Sequence, residues 1–154
     1  MSMTAEATVS VKATAKAVLE FVLDLERYRT VDRKISKVSS VVPADAEGNG
    51  SVKIWGRLGW LPPAPDRQDF HLDRWTKLTF VGAPRQPARL VFDFVGTFDC
   101  TQKTDGSTDV THAYNFTFKG PFRIIERFLG SWLQCEIDSE VQALAKVVES
   151  SAVG

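Results

Sequence analysis

The feature that most constrains the fold is a long stretch without proline at the C-terminal end of the chain. It opens at Gly120-Pro121, where proline occupies the first turn of a helix and its missing N–H costs no hydrogen bond. From residue 122 to about residue 148, apolar residues recur at helical spacing: Ile125, Leu129, Leu133, Ile137, Val141, Leu144 and Val148. At ~1.5 Å per residue this helix would be about 40 Å long. A stripe of that length needs a large apolar surface to cover it.

Seven segments upstream have the alternating or β-branched composition of strands. The two longest span residues 88–104 and 108–119, and Asp105-Gly106 between them tolerates the positive φ angles of a tight hairpin turn. The others span residues 5–11, 35–42, 51–60, 67–73 and 75–82. One face of the long pair carries Leu90, Phe92, Phe94, Phe98 and Cys100 on the first strand and Val110, His112, Tyr114, Phe116 and Phe118 on the second. We expect these rows to form one side of the core.

Two short helices are predicted between the first two strands. Thr14 can cap the first of them, in which Ala15, Val18, Leu19, Val22 and Leu25 recur at spacings of three and four residues. A second, shorter helix would follow near residues 28–31. Further along, residues 60–65 contain three prolines, which remove backbone donors and predict a stiff loop with an apolar tip.

The order of these elements predicts an α+β fold. Seven strands cannot leave one apolar face uncovered, so the simplest packing is a curved antiparallel sheet wrapped around the long C-terminal helix, with two short helices after the first strand. A length of 154 residues suits one domain over residues 1–154.

Composition excludes several classes of protein. Nineteen Lys and Arg balance nineteen Asp and Glu, which argues against nucleic acid as a partner. Cys100 and Cys135 lack metal or redox spacing, and we expect both to be reduced. No segment has the length and apolar character of a signal peptide or a membrane-spanning helix, which predicts a cytoplasmic protein. GxSxG, GxGxxG and P-loop motifs are absent from the sequence, so we expect no cofactor.

Two parts of the chain carry a resemblance to a known family. The opening Val9-Ser10-Val11-Lys12-Ala13-Thr14, which runs into the apolar segment 18–28, and the Gly120-Pro121 entry to the last helix resemble the START-related helix-grip superfamily. The nearest group is the polyketide cyclase/dehydrase and lipid-transport proteins, and the resemblance covers about residues 4–149. It implies a sheet that grips the C-terminal helix, with a deep apolar cavity for a lipid, sterol, polyketide or aromatic ligand. Members range from carriers to cyclases, so the fold does not select the function.

We therefore expect a protein that binds or transports a small hydrophobic molecule in an internal cavity. The residues expected to contact the ligand are Phe92, Phe94, His112, Tyr114, Phe116, Trp132, Leu133 and Trp60. His112 would orient a carbonyl or hydroxyl of the ligand. Trp60 would form a lid at the proline-rich loop, and Trp132 would line the cavity from the helix.

Two other functions remain open. One is an enzyme of the polyketide cyclase/dehydratase type, in which His112 or an inward glutamate moves a proton and Tyr114 donates to a ligand carbonyl. The other is a partner-binding module without a ligand, whose own Phe and Trp side chains would fill the interior.

Glu136 and Glu140 lie on the flank of the apolar stripe of the last helix. A carboxylate on an inward face needs a partner, because burial of an unpaired charge costs several kcal/mol. Arg57 or another strand cation could serve as that partner. At the edge of the stripe either glutamate would instead reach solvent, and Glu136 is the glutamate we take as a catalytic candidate.

Asp69, His71 and Asp73 alternate along one predicted strand and so share a face. Their oxygen and imidazole groups could bind a divalent metal. Phe70 and Leu72 occupy the opposite, buried face, which sends the three to solvent, and we expect no metal site. Trp55 is also expected on the outer face, where an exposed Trp could serve a homodimer contact.

Overall fold

A computed structural model of the chain describes residues 2–153 and contains one seven-stranded sheet. The strands are β1 (Met3–Val11), β2 (Ile35–Val42), β3 (Asn49–Gly56), β4 (Ala64–Asp73), β5 (Lys77–Gly82), β6 (Phe92–Gln102) and β7 (Thr108–Phe118). Their order in the sheet is β1-β7-β6-β5-β4-β3-β2, and every neighbouring pair is antiparallel. The first two strands of the chain therefore form the two edges of the sheet, and the helices between them cross from one edge to the other.

Three α-helices pack with the sheet. They are α1 (Ala15–Leu23), α2 (Leu25–Tyr28) and α3 (Ile124–Val153), and α3 is preceded by a 3-10 turn over Gly120–Arg123. The predicted α+β helix-grip fold is confirmed, with a long C-terminal helix and two short helices after β1. α3 lies mainly against β1.

Thr14 caps α1 as predicted, because its Oγ1 accepts a hydrogen bond of 3.1 Å from the Ala17 N–H. The predicted boundary between the two short helices is wrong. We expected the first helix to continue through Leu25 and the second to cover residues 28–31, but the break falls at Asp24, whose ψ of 78° is not helical. Leu25 then opens α2 with its side chain buried.

The start of the sixth strand also differs from the prediction. Residues 88–91 do not extend it, because Pro87–Leu90 forms a 3-10 helix and β6 begins at Phe92. Leu90 is consequently 78% exposed, although alternation had placed it on the core face. A single non-strand turn breaks the parity on which that expectation rested.

The proline-rich segment is shorter as a loop than predicted. Ala64 and Pro65 already belong to β4 and pair with Gly56 and Trp55 of β3. Proline is tolerated there because it stands at the start of the strand. The loop between β3 and β4 packs closely on α3: Gly59 has φ +55°, and a Cβ at this position would lie 2.8 Å from Leu129 Cδ2.

The predicted stripe of α3 forms much of the core. Leu129, Leu133, Ile137, Leu144 and Val148 are almost wholly buried. They join a cluster that contains the inward rows of β6 and β7, with Phe98, Cys100, Val110, Phe116 and Phe118 among its members. The helix and the sheet thus cover each other's apolar faces, as the sequence predicts.

Candidate functional site

An internal cavity of about 360 Å³ lies over the part of the sheet that α3 does not cover. Its walls come from α1 and α2, from the inward faces of β3 to β7, and from the loop between β3 and β4. Most of the lining is apolar, with Val22, Ile54, Phe80 and Phe94 as examples. A concave, largely apolar space with a few polar groups is the usual form of a small-molecule site.

Five of the residues expected to contact a ligand line this cavity together. They are Phe92, Phe94, His112, Tyr114 and Phe116. The aromatic rings pack edge to face or tilted against one another, with the Phe94 and Phe116 centroids 4.9 Å apart. The two longest strands therefore supply a continuous aromatic wall.

The other three expected contacts do not line the cavity. Trp60 is 75% exposed and is not among the lining residues, although its neighbours Leu61 and Pro62 are. Leu133 is wholly buried in the core beneath α3, and Trp132 lies beside Gly59 of the β3–β4 loop. Within residues 2–153, Ile125 is the only residue of α3 in the lining. Trp132 and Leu133 lie outside the lining because α3 lies mainly over β1, to one side of the cavity.

One wall of the cavity is polar and rests on a group that we call the buried polar cluster. Its members are Tyr28, Asp32, Lys34, His112, Tyr114 and Glu140, all buried. Lys34 Nζ lies 2.7 Å from Asp32 Oδ1 and 2.7 Å from Glu140 Oε1, so one ammonium joins two carboxylates. All members except Glu140 line the cavity, and Glu140 lies behind them.

Both tyrosines of the buried polar cluster point their hydroxyl groups at its carboxylates. Tyr28 donates to Glu140 Oε2. The Tyr114 hydroxyl lies 3.0 Å from Glu140 Oε1 and 3.2 Å from Asp32 Oδ2, within donating distance of either. Lys34 Nζ also lies 4.5 Å from the centroid of the Tyr114 ring, a favourable cation–π contact.

His112 is held on both sides of its ring. Its Nδ1 donates to the Thr97 carbonyl oxygen at 2.9 Å, and its Nε2 lies 2.8 Å from Glu140 Oε2, a close contact without the alignment of a hydrogen bond. The ring stacks on Phe98 with centroids 3.8 Å apart. Both nitrogens face protein oxygens, so the role expected from the sequence, orientation of a ligand carbonyl, would require the ring to give up one of these contacts.

The two carboxylates of the buried polar cluster respond differently to burial. Burial raises the pKa of Asp32 and the Glu140 charge raises it further, against the opposing effect of Lys34. Burial would also raise the pKa of Glu140, but the charges of His112 and Lys34 outweigh it and lower that pKa to about 2. Glu140 is therefore the fixed negative charge of the cluster, and Asp32 is the carboxylate that more readily takes up a proton.

The same surroundings shift the pKa values of Lys34, Tyr28 and Tyr114. Burial would lower the pKa of Lys34, but Asp32 and Glu140 together raise it above its ordinary value and keep the ammonium charged. Burial and the neighbouring carboxylates raise the pKa of Tyr28 and Tyr114 well above the ordinary value, so both hydroxyls remain donors.

Glu136 is not part of this site. It lies outside the lining and binds Arg33 at 2.8 Å, with the Glu136 side chain 14% and the Arg33 side chain 73% exposed. The inward glutamate is Glu140, and its partner is Lys34 rather than Arg57. The sequence spacing distinguishes Glu140 from Glu136. Glu140 stands three residues after Ile137 and four before Leu144, both wholly buried, and so shares their inward face. Asp32 and Lys34 lie in an aperiodic segment and gave no such signal.

The remaining candidates lie on the outer face of the sheet. Asp69, His71 and Asp73 are exposed, and His71 contacts Asn49 Oδ1 at 2.8 Å and Asp73 Oδ1 at 3.1 Å. Trp55 is 39% exposed, on the face predicted for it. Cys100 is buried and Cys135 exposed, with neither in a disulfide. Among residues 2–153, no helix has the length and apolar character required to cross a membrane.

Residues 2–149 match the family described as "Polyketide cyclase / dehydrase and lipid transport". The chain belongs to this family. No curated protein sequence matches it.

Solved structures of several proteins share the helix-grip fold of this family member. The Zhui aromatase/cyclase from Streptomyces sp. R1128 superposes with a TM-score of 0.77 at 15% identity, over 97% of this chain and 94% of that one. A START superfamily protein from Mycobacterium smegmatis gives 0.71 at 15% identity, over 96% and 97%. A norcoclaurine synthase from Thalictrum flavum gives 0.65 at 12% identity, over 99% and 97%. At these identities the likeness shows the fold alone.

Membership of the polyketide cyclase/dehydrase and lipid-transport family suggests hydrophobic ligand binding or cyclase chemistry. The site has the parts for either. Its apolar walls can exclude water from a ligand, and Asp32 and Tyr114 place ionisable groups at one end of the same space. The choice depends on whether these groups hold a ligand or move its protons.

Proposed function

We propose that this family member binds a small hydrophobic molecule, of the lipid, sterol, polyketide or aromatic class, in its internal cavity. The observation that carries the proposal is the cavity of about 360 Å³, which is lined mainly by aromatic and aliphatic side chains. Burial of apolar ligand surface there would contribute ~25 cal/mol per Å². A module whose own side chains fill the interior would lack such a space, which speaks against that alternative.

The volume of the cavity limits the size of the ligand. It stands near the lower end of the ~300–1,000 Å³ range of small-molecule pockets. A compact molecule of a few fused rings, or one short acyl chain, suits this space better than a lipid with two long acyl chains. Aromatic walls such as Phe94 and Phe116 favour a flat ring system, which can stack on them.

Gly56 offers a direct test. It lines the cavity, and a Cβ at this position would have only ordinary contacts, 3.7 Å from the Lys34 carbonyl oxygen and 4.0 Å from Ile54 Cδ1. The Gly56→Leu variant should fold and fill part of the space. We expect it to weaken binding of the neutral fluorescent probe N-phenyl-1-naphthylamine at least about tenfold, equivalent to ~1.4 kcal/mol.

Val95→Leu, on the outer face of β6, is the matched control and should bind the probe like the wild type. Mass spectrometry of the freshly purified wild type should show a bound hydrophobic molecule that Gly56→Leu lacks. Absence of probe binding to the wild type, or equal binding by both variants, would contradict the proposal.

A second candidate is an enzyme of the cyclase/dehydratase type. The observation that favours it is the position of Asp32, a cavity-lining carboxyl with a raised pKa within 3.2 Å of the Tyr114 hydroxyl. Asp32 would then be the acid or base, in place of His112 or Glu136.

The predicted cytoplasmic location and homodimer stay predictions.

The two candidates separate in a turnover assay. A linear poly-β-ketone thioester, incubated with the wild type, should give an aromatic absorbance if the protein is an enzyme. Asp32→Asn should then lower the rate roughly 10²–10⁴-fold, and His112→Ala should do the same if imidazole moves the proton. For a carrier we expect no turnover, and ligand affinity in His112→Ala within about tenfold of the wild type.

A further inference from the structure

The donor groups of the buried polar cluster are already bound within the protein. Lys34 Nζ is shared between Asp32 Oδ1 and Glu140 Oε1, both at 2.7 Å. Tyr28 and Tyr114 direct their hydroxyl hydrogens at the same two carboxylates. His112 donates from Nδ1 to the Thr97 carbonyl oxygen. His112 Nε2 faces Glu140 Oε2 at 2.8 Å, and Lys34 Nζ, which has three hydrogens, also lies 4.5 Å from the centroid of the Tyr114 ring. A ligand acceptor such as a carbonyl oxygen would therefore have to compete with groups of the protein for each of these donors.

The polar wall of the cavity still has an oxygen atom that can accept another hydrogen bond. Asp32 Oδ1 accepts from Lys34 Nζ and from the Lys34 backbone N–H at 3.0 Å, but Oδ2 has only the 3.2 Å contact with Tyr114, whose hydroxyl is shared with Glu140. An ionised carboxylate has about four lone-pair sites. Asp32 lines the cavity and Glu140 does not, so Asp32 Oδ2 is the acceptor within reach of a ligand.

We infer that the ligand carries a hydroxyl group, alcoholic or phenolic, that donates to Asp32. This inference rests on the proposed function and names the chemical class of ligand for the same cavity. An ammonium group would fit less well, because Lys34 already neutralises this carboxylate at 2.7 Å. The expected ligand is thus an apolar ring system or chain with a neutral donor at one end.

Two probes of similar size isolate this contact. The first is 2-naphthol and the second is 2-methoxynaphthalene, in which the donor is blocked by a methyl group. Displacement of N-phenyl-1-naphthylamine at neutral pH should show 2-naphthol binding about tenfold tighter or more, as expected for a hydrogen bond to a charged acceptor. In Asp32→Asn this preference should fall below about threefold.

Each result decides one of the two claims. Equal binding of both probes by the wild type, or tighter binding of the ether, would overturn the inference while leaving the cavity function intact. Retention of the full preference in Asp32→Asn would overturn it as well. Failure of both probes to bind would instead contradict the proposed function. If Asp32→Asn fails to fold, the comparison of the two probes on the wild type still decides.

A different observation concerns the outer surface of three segments that line the cavity. Five exposed apolar side chains lie on the three segments that also contribute to the lining: Trp60, Leu90, Phe122, Ile124 and Phe128. Contacts bring these segments together, since Gly59 packs on Leu129 of α3 and the Lys119 N–H donates to the Val91 carbonyl oxygen at 2.8 Å. We call these five residues the rim.

Unpaired positive charge accompanies the rim. Arg57, Arg85, Arg123 and Arg127 are exposed on the same segments or beside them, and none has an ion-pair partner among residues 2–153. Of the nearby carboxylates, Asp66 binds Arg89, Asp93 binds Lys119, and Glu126 accepts a hydrogen bond from the Phe118 N–H and offsets one of the four arginine charges. The chain as a whole has no net charge, so positive charge at the rim leaves the rest of the protein net negative.

Independently of the ligand, we propose that the rim docks onto an anionic lipid bilayer. Aromatic and aliphatic side chains interleaved with arginines are the combination that enters the headgroup region of such a surface. The opposite sign of the remaining charge would orient the protein with its rim toward the bilayer. An apolar ligand could then pass between the cavity and the membrane without crossing water.

Vesicle flotation tests this docking. The wild type should float with vesicles of phosphatidylcholine and phosphatidylglycerol at low salt, and much less with pure phosphatidylcholine or at high salt. Phe128→Ser and Arg127→Glu should each reduce the bound fraction at least about threefold. Val42→Ser replaces a similarly exposed residue of β2, away from the rim, and should bind like the wild type.

No flotation by the wild type, or an equal loss in Val42→Ser, would overturn the docking proposal. A dimer in light scattering that Phe128→Ser dissociates, without any flotation, would assign the rim to a second copy of the chain and overturn it too. Flotation that is insensitive to lipid charge would likewise contradict the role of the arginines.

Discussion

Glu140 Oε1 and Lys34 Nζ lie 2.7 Å apart, and this buried ion pair joins the middle of α3 to the loop after α2. The pair holds the helix that covers β1 to a segment that lines the cavity. Asp32 binds the same ammonium, so the removal of one positive charge would leave two carboxylates buried.

We expect Lys34→Met to destabilise the fold by about 3–5 kcal/mol, since an uncompensated buried charge is costly whereas the pair itself contributes little. Urea denaturation gives this free energy of unfolding. The neighbouring Arg33→Met removes a partly exposed pair, in which the Arg33 side chain is 73% and the Glu136 side chain 14% exposed, and should cost about 1 kcal/mol. A small effect of Lys34→Met would mean that water reaches Asp32 and Glu140.

Glu140 should make the stability of the protein depend on acid pH. Its pKa in the folded chain is about 2 against an ordinary 4.5, so its contribution is complete above the ordinary value and is lost as the pH falls toward the lower one. We expect the stability difference between the wild type and Glu140→Gln to be on the order of 3 kcal/mol near neutral pH and to fall by more than half by about pH 3.

Other titratable groups of the buried polar cluster also affect how stability depends on pH. Asp32 acts with the opposite sign, because its raised pKa makes ionisation above the ordinary value less favourable in the folded state. Tyr28, Lys34 and Tyr114 have raised pKa values and do not titrate in this range. Glu136→Gln is the control, and its difference from the wild type should stay small throughout. A difference for Glu140→Gln that does not change with pH would refute the assignment.

Two glycines should respond to alanine in opposite directions. Gly130 lies inside α3, and an added Cβ would have no atom within 4 Å, so Gly130→Ala should raise the free energy of unfolding by roughly 0.5–1 kcal/mol. Gly59 has φ +55° and a Cβ there would meet Leu129 at 2.8 Å, so Gly59→Ala should lower it by about 1 kcal/mol or more. Thermal denaturation of both variants measures these two changes in stability. An increase in stability for Gly59→Ala would show that the β3–β4 loop does not pack against α3.

The two thiols should differ in reactivity. Burial, together with the charge of Asp99, raises the pKa of Cys100 to about 12, whereas Cys135 is exposed on α3. We expect a disulfide reagent at mildly alkaline pH to modify one thiol per native chain and both after denaturation. Mass spectrometry should locate the native adduct on Cys135, and rapid labelling of Cys100 would indicate local opening of β6.

Periodicity explains which parts of the fold were predictable. The stripe from Leu129 to Val148 and the alternation through β7 each report one buried face, and both were placed correctly. Leu90 was misplaced because a 3-10 turn interrupts the alternation, and a turn of that kind has no period of its own. The break at Asp24 was missed for a similar reason, since Leu25 continues the apolar spacing across it.

The buried polar cluster shows a second limit. Tyr114 and His112 were found because they stand in an apolar row of one strand. Asp32 and Lys34, which contact Tyr114, lie in a short aperiodic segment that looks solvent-exposed in sequence, but both are buried and form an ion pair. Long-range pairing of charges depends on where α3 lies over the sheet, which local patterns do not specify.

The order of strands in the sheet has a consequence for how the chain reaches its native state. β1 is the first strand of the chain and its partner β7 is the last, so that the Thr8 and Thr111 hydroxyls, 103 positions apart, lie 3.0 Å from each other. During synthesis β1 must wait unpaired until almost the whole chain has left the ribosome, whereas the hairpins from β2 to β6 can form earlier. Closure of this single long loop should set the folding rate, and the chain should fold more slowly than a helical bundle of the same length.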